Sequence, residues 1–373
     1  MGKTLNRLIV ASSETSADLR YVTKFLVSDP VIFLEQGGRR TLVLSDLEID
    51  RGKREAEVDE IVALSALNKK LSSEGSEPTF RDAVAGFLKS RRVKKAIVPE
   101  DFPLGLAQFL VGQGITLNVQ DGLFYPEREF KSAAELKLIK QALHITETGM
   151  ARGMEVLRAS EIGKANALCW GGKTLTSEIL RAEIDSAILR VGGLPANTIV
   201  AGGNQACDPH ERGSGPLKAN SLIILDIFPR DAKTGYFGDM TRTVIRGRAS
   251  DAQRQLWTVA LGGQKLALKA MKPGVDGAKL HEKVKAFFTE SGYPTEQRND
   301  RWCGFFHGTG HGLGLDIHEI PRFSQAVFQP GQVLTVEPGL YYYGLGGVRH
   351  EDVVTITENG IKLLSTHPKP LEL

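Results

Sequence analysis

The sequence predicts mixed α and β structure in two parts, a smaller α/β domain ahead of a larger α+β one. Three observations carry this. A chain of 373 residues is long for one hydrophobic core. Its first third alternates short β-branched runs with helical stretches. From about Asn197 onward, strands with glycine-rich turns surround two long helical patterns.

In the first part, apolar runs at 31–35 and 41–45 flank Gln36-Gly37-Gly38-Arg39-Arg40, the pattern of a β-hairpin. A helical pattern at 83–88, a strand at 95–98 and a helix at 103–111 follow. No nucleotide-binding glycine loop follows these strands, and no catalytic constellation is visible. Pro126, among the charges of Tyr125-Pro126-Glu127-Arg128, breaks the pattern, so the domains are expected at 1–127 and 128–373. Ser132-Ala133-Ala134-Glu135 then reads as a capping box that opens a helix carrying the stripe Leu136, Ile139, Leu143, Ile145. Farther on, strands are expected at 198–201, 222–228, 244–245, 333–336 and 353–356, with helices at 251–271 and 278–291.

Composition narrows the class without fixing it. Hydrophobic content of 41% and charged content of 24% are those of a globular protein. A net charge of +3 is too mild to imply nucleic acid or an anionic membrane as partner. The cluster Lys89-Ser90-Arg91-Arg92-Val93-Lys94-Lys95 reads as a solvated helix end. Cys169, Cys207 and Cys303 are odd in number and lack CxxC spacing, which fits a reducing compartment rather than a disulfide framework. Cys207 lies three residues before His210, yet no pattern of a cysteine hydrolase accompanies it; a small buried residue is the simpler reading. The start, Met1 to Val10, shows neither a signal-peptide core nor a myristoylation motif, and no run approaches the roughly 20 apolar residues needed to cross a bilayer. A cytoplasmic protein is expected.

The chemistry lies in the second part. Leu225-Asp226-Ile227-Phe228 puts a carboxylate inside an apolar strand, where a lone charge loses its hydration and needs a cation, either a basic side chain or a metal. Asp239 follows with Thr241 and Thr243 behind it, so the two aspartates can face each other across a hairpin, where like charges repel unless a cation intervenes. In His307-Gly308-Thr309-Gly310-His311-Gly312-Leu313-Gly314, glycines on both sides of His311 are expected to let the backbone approach a ligand closely. Thr335-Val336-Glu337-Pro338-Gly339 and Gly347-Val348-Arg349-His350-Glu351-Asp352 each carry a glutamate at a strand, joined by Tyr343-Gly344-Leu345-Gly346 as a second hairpin. Any one of these alone is an ordinary strand-end acid or loop histidine. Together, four carboxylates and an imidazole without thiolates suit two divalent ions such as Mn²⁺, Co²⁺, Zn²⁺ or Fe²⁺ better than a structural zinc.

The order Asp226, Asp239, the Gly-His311-Gly histidine, Glu337-Pro338 and Arg349-x-Glu351-Asp352 resembles the pita-bread metallopeptidases, which include methionine aminopeptidase, aminopeptidase P and prolidase. The resemblance spans the chain and implies an α+β pita-bread catalytic domain preceded by a creatinase/prolidase-type α/β domain. Here Asp226 and Asp239 enclose twelve residues, more than the family pattern has. An insertion of even length need not turn either side chain away, because strand side chains alternate. Asp231, in Pro229-Arg230-Asp231-Ala232-Lys233, is read as a solvated turn residue.

The resemblance further implies that Asp239 and Glu351 bridge two ions, Asp226 binding one and His311 with Glu337 the other. Such ions, roughly 3.5–4 Å apart, lower the pKa of a shared water toward about 7 and polarise the scissile carbonyl. Glu337 is then the proton carrier, and His210 and His318 line the substrate side, with His307 and His350 structural. His318-Glu319-Ile320-Pro321-Arg322 looks like the prolidase version of its segment, with Arg322 facing the carboxylate of an Xaa-Pro dipeptide. Manganese is the first expectation, with cobalt, zinc or iron as alternatives, and a homodimer is carried over from relatives. The alternatives are an aminopeptidase P acting on longer Xaa-Pro-Xaa peptides and an inactive binding module. Retention of all five ligands speaks against the inactive module and a metal-independent creatinase type. The N-terminal domain speaks against a methionine aminopeptidase.

Overall fold

The computed structural model describes residues 6–72 and 77–373. The residues 1–5 read above for a signal or acylation motif lie outside them. The chain forms two compact units, Met1–Arg128 and Glu129–Leu373.

In the first unit six strands form one sheet: β1 (Asn6–Ala11), β2 (Val31–Gln36), β3 (Arg39–Leu44), β4 (Glu60–Ala63), β5 (Lys95–Val98) and β6 (Thr116–Val119), in the order β4-β3-β2-β1-β5-β6. The β1, β2 and β3 strands pair antiparallel, whereas β3–β4, β1–β5 and β5–β6 are parallel. Strand side chains alternate between faces, and both faces here are apolar. Leu8, Val10, Ile32 and Leu34 pack with the helix Phe80–Ser90 on one side. Ile9, Val31 and Phe33 pack with the helix Ala17–Thr23 on the other. The hairpin turn is tighter than the sequence suggested: Gly37 and Gly38 alone make it, both at positive φ, as a two-residue turn of the primed kind demands.

The second unit begins with the helix Ala133–Ala159, where Ser132 Oγ accepts from the Glu135 amide and Glu135 accepts from the Ser132 amide. This helix and Ser177–Arg190 cover a three-stranded antiparallel sheet of Ile199–Gly202, Ile223–Ile227 and Met240–Val244. The last strand starts earlier than expected. Helices Asp251–Ala270 and Gly277–Glu290 cover the other half, built on a five-stranded sheet in the order Glu319–Arg322, His311–Gly312, Val333–Val336, Asp352–Thr357, Gly360–Leu363. The second hairpin is split: Val333–Val336 pairs with Asp352–Thr357, whereas Gly339–Tyr342 pairs with Gly346–Arg349 in a separate ribbon. Glu337-Pro338 and His350-Glu351 are the two breaks, since Pro338 has no N–H to continue the ladder. Among the described residues no helix is long and apolar enough to cross a membrane.

Candidate metal centre

Strand register gathers the carboxylates. Asp226 lies opposite Ile199 on one side and Thr241 on the other. Asp239 is two residues before Thr241 and so shares its face, which makes the aspartates diagonal rather than direct neighbours. The longer connection between them is absorbed by a short strand, Arg230–Asp231, which pairs with Gly193–Leu194. The expectation for Asp231 is therefore corrected. It is buried, and its Oδ1 accepts from the amides of Lys233 and Thr234, which closes the turn.

The glycines around His311 let the neighbouring strands approach closely, and Gly310 also lines the cleft. A Cβ on Gly310 would lie 2.0 Å from the Thr335 carbonyl oxygen, and one on Gly312 would lie 2.6 Å from that of Ile320. The close approach lets the His311 amide donate to Thr335 Oγ1 at 3.1 Å. His311 Nδ1 lies 3.0 Å from the Gly312 carbonyl, which can only accept, so the proton belongs on Nδ1. The lone pair of Nε2 then faces inward, 3.6 Å from Asp239 Oδ2 and 3.4 Å from Glu337 Oε1.

Glu351 completes the centre. Thr241 Oγ1 donates to its Oε2 at 2.8 Å, and its amide donates to the Thr241 carbonyl. Its other oxygen, Oε1, is buried with no partner. Ligand atoms of Asp239, His311 and Glu351 all lie within 4.8 Å of one another. Asp226 and Glu337 stand beside that trio. A buried arginine that the sequence reading left without a role, Arg349, donates from Nη2 to Asp226 Oδ2 at 2.6 Å. Its Nε lies 3.9 Å from Glu337 Oε2. Arg349 Nη1 donates to the Tyr341 hydroxyl, which lies 2.8 Å from His307 Nε2. The motif Arg-x-Glu-Asp contained this residue; its sign among four acids was the signal for its role.

Electrostatically the centre is short of positive charge. Burial, then the neighbouring Asp226 and Glu337, raise Asp239 well above the usual carboxylate range. Glu351 is raised by burial and then by Asp239. Burial pushes Glu337 up to about 7, with Arg349 opposing. Burial pushes His311 down to about 3, which keeps its imidazole neutral and able to ligate. Oxygen donors, one neutral imidazole and an orphaned buried carboxylate oxygen are the donor set of a divalent cation. Cys207, by contrast, is pushed up to about 12 by burial and cannot serve as a thiolate nucleophile near neutral pH.

A cleft of about 770 Å³ opens over these groups and is lined by all five carboxylate and imidazole candidates. Exposed His210 and His318 also line it, the ring of His318 standing edge-on 4.3 Å from that of His311. Arg322 lies directly opposite His311 in the strand pair and reaches the same cleft. His350 instead packs against Trp257, with ring centroids 4.7 Å apart, away from the cleft.

The sequence profile of metallopeptidase family M24 matches residues 137–358. A Xaa-Pro dipeptidase from Pyrococcus furiosus is 27% identical, over 100% of both chains. An X-Pro aminopeptidase from Thermotoga maritima, 25% identical, matches with a TM-score of 0.83 over 99% of this chain and 98% of its own. A Xaa-Pro dipeptidase from Bacillus anthracis, at 23% identity, shares the fold with a TM-score of 0.82 over 99% and 95%. The α+β pita-bread class with a preceding α/β domain, read from the sequence, stands.

Proposed function

The chain belongs to metallopeptidase family M24 and is a hydrolase, and from that premise we propose that it is a two-metal, prolidase-like peptidase cutting Xaa-Pro dipeptides. The observation that carries the reading is the meeting of Asp239, His311 and Glu351, with an unpartnered Glu351 oxygen, beneath a cleft that also holds Arg322. Asp239 and Glu351, with Asp226 on one side and His311 and Glu337 on the other, would hold the ions. Arg349 occupies only Oδ2 of Asp226 and leaves Oδ1 for a cation. Bound there, divalent ions, manganese first, would supply Lewis acidity and an activated water.

The chain's own residues do the rest. Glu337 stands between His311 and Arg349 and would take a proton from water and return it to the departing amine. His210 and His318 line the cleft where their N–H groups can donate to the oxygen that gains charge at the reacting carbonyl. Arg322 would fork onto the free carboxylate of a dipeptide. The domain division at 1–127 and 128–373, a homodimer and a cytoplasmic location belong to the same proposal, and light scattering in solution tests the dimer.

A second reading, an aminopeptidase on longer Xaa-Pro-Xaa peptides, is favoured by the cleft volume of about 770 Å³, high in the range of roughly 300–1,000 Å³ for small-ligand sites. The deciding experiment strips the protein with EDTA and assays Leu-Pro, Ala-Pro and Leu-Pro-Gly before and after adding Mn²⁺. Loss and recovery of dipeptide cleavage is expected. Full activity after metal removal sinks the two-metal reading, and cleavage of the tripeptide alone selects the second.

A further inference from the structure

An ion pair outside the cleft is sealed into the second unit. Lys131 Nζ donates to Glu319 Oε2 at 3.1 Å, and each side chain is only 2% exposed. The partners are 188 residues apart in the chain. Lys131 immediately precedes Ser132, the N-cap of the helix Ala133–Ala159, and its amide donates to the Gly331 carbonyl. Glu319 opens the strand Glu319–Arg322, and the residue before it is His318, which is exposed and lines the cleft. Neither Lys131 nor Glu319 belongs to the lining of the cleft itself.

Stripping the water from two charges costs about as much as their attraction returns, so an apolar pair of similar size would hold the fold as well. What the charged pair adds is direction. Glu319 Oε1 accepts from the Asp316 amide at 3.2 Å while Oε2 takes Lys131, so the carboxylate is held from both sides. The backbone packs onto it: a Cβ on Gly314 would lie 2.1 Å from Glu319 Oε1 and 3.1 Å from Lys131 Cε. The Gly314 carbonyl in turn accepts from Phe237 N–H at 2.8 Å, two residues before Asp239. The loop 313–318, between the paired residues Gly312 and Glu319, is thereby closed around the ion pair. At its end the His318 ring stands edge-on to that of His311, with centroids 4.3 Å apart.

We infer that Lys131 is a positioning residue: through Glu319 it holds the loop 313–318 so that His318 stands over the centre, and it touches neither substrate nor metal. The inference rests on the proposed Xaa-Pro activity and on the donor role given there to His318. Without Lys131, Glu319 is a buried carboxylate deprived of this cation, and it either turns toward water or takes up a proton. Either change loosens the loop, and a misplacement of about 1 Å in a group that assists the reaction costs about a hundredfold in rate.

The test is a double-variant cycle on metal-loaded protein. It measures kcat and KM for Leu-Pro, with Mn²⁺ content, on wild type, Lys131→Met, Lys131→Arg, His318→Ala, and Lys131→Met combined with His318→Ala. Lys131→Met is expected to lower kcat about ten- to a hundredfold with KM and metal content nearly unchanged, and Lys131→Arg, which keeps the cation, should lose less. In the His318→Ala background the same Lys131→Met change should cost no more than about twofold, because the group it positions is gone. In the metal-free protein the ring-proton NMR signal of His318 should move in Lys131→Met. If Lys131→Met does not fold, Lys131→Met combined with Glu319→Gln leaves no lone buried charge and takes its place in the cycle. Equal losses with and without His318, an unmoved His318 signal or an unchanged kcat overturn the positioning role and leave the parent reading standing. A His318→Ala protein as active as wild type overturns the donor role and the inference with it. A metal-loaded wild type inert to every Xaa-Pro dipeptide overturns the parent reading as well.

Discussion

Replacing Gly310 by alanine sets a methyl carbon 2.0 Å from the Thr335 carbonyl oxygen. Non-bonded carbon and oxygen settle no closer than about 3.3 Å, so the two strands must part by about 1 Å. Two hydrogen bonds hold them there, His311 N–H to Thr335 Oγ1 at 3.1 Å and Glu337 N–H to the Thr309 carbonyl at 2.8 Å. An opening of that size carries both beyond good geometry. Their loss costs about 0.5–1.5 kcal/mol each, and the overpacking itself about 1–3 kcal/mol. The sum, about 2–6 kcal/mol, corresponds to a fall in Tm of roughly 5–20 °C for a unit of this size. The same movement separates His311 from Glu337, so Mn²⁺ affinity should fall at least about tenfold. Gly308→Ala is the matched control, because its nearest neighbour would be an ordinary 3.8 Å away. Differential scanning calorimetry of the metal-free proteins and titration calorimetry with Mn²⁺ read both effects. A Gly310→Ala protein that melts within 2 °C of wild type (about 1 kcal/mol) and binds Mn²⁺ equally well refutes the reasoning.

Three further outcomes are expected. Burial holds Asp239, Glu337 and Glu351 above their ordinary range, Glu337 from 4.5 to about 7. The unfolded chain therefore releases these protons first, and metal-free protein should lose stability as pH rises from about 4.5 through 7. The Tm gain on adding Mn²⁺ should grow over the same interval, and an equal gain at pH 5.5 and 7.5 counts against the raised carboxylates. Arg322→Ala should cut Leu-Pro hydrolysis about tenfold more than Leu-Pro-Gly hydrolysis, a charge-assisted pair being worth about 1.5–3 kcal/mol; equal losses remove the carboxylate clamp. Lys369→Met should weaken Mn²⁺ binding roughly tenfold, because Lys369 joins Arg242, Ser365 and Gln264 in holding Asp352 directly behind Glu351. Titration calorimetry that finds unchanged affinity would clear Lys369 of any such role.

What could be read in advance followed from local physics. Asp226, Glu337 and Glu351 each interrupt an apolar strand, a local anomaly that needs no knowledge of partners. Strand parity indicated that a longer connection could leave Asp226 and Asp239 on one face, and the observed register places them so. The misreadings concern long-range pairing. Asp231 looked solvated because its turn chemistry is local, whereas its burial comes from Gly193–Leu194, far away in sequence. The helix Ser177–Arg190, by contrast, is legible locally, since Leu180, Ile184 and Ile188 recur at helical spacing and are all buried. Arg349 carried only its positive sign among four acids as a signal, since its meaning depends on which acids it faces. Its position now bears on the proposed metal count. Four carboxylates against one buried guanidinium leave three formal negative charges at the base of the cleft, and His311 is neutral. One divalent ion leaves that pocket still anionic, which its raised carboxylates already disfavour. Two leave a single positive charge, equal in size to the negative charge left by one, so the pair proposed differs in sign: it would draw one anion, from solvent or substrate, to a centre where a lone ion would leave net repulsion.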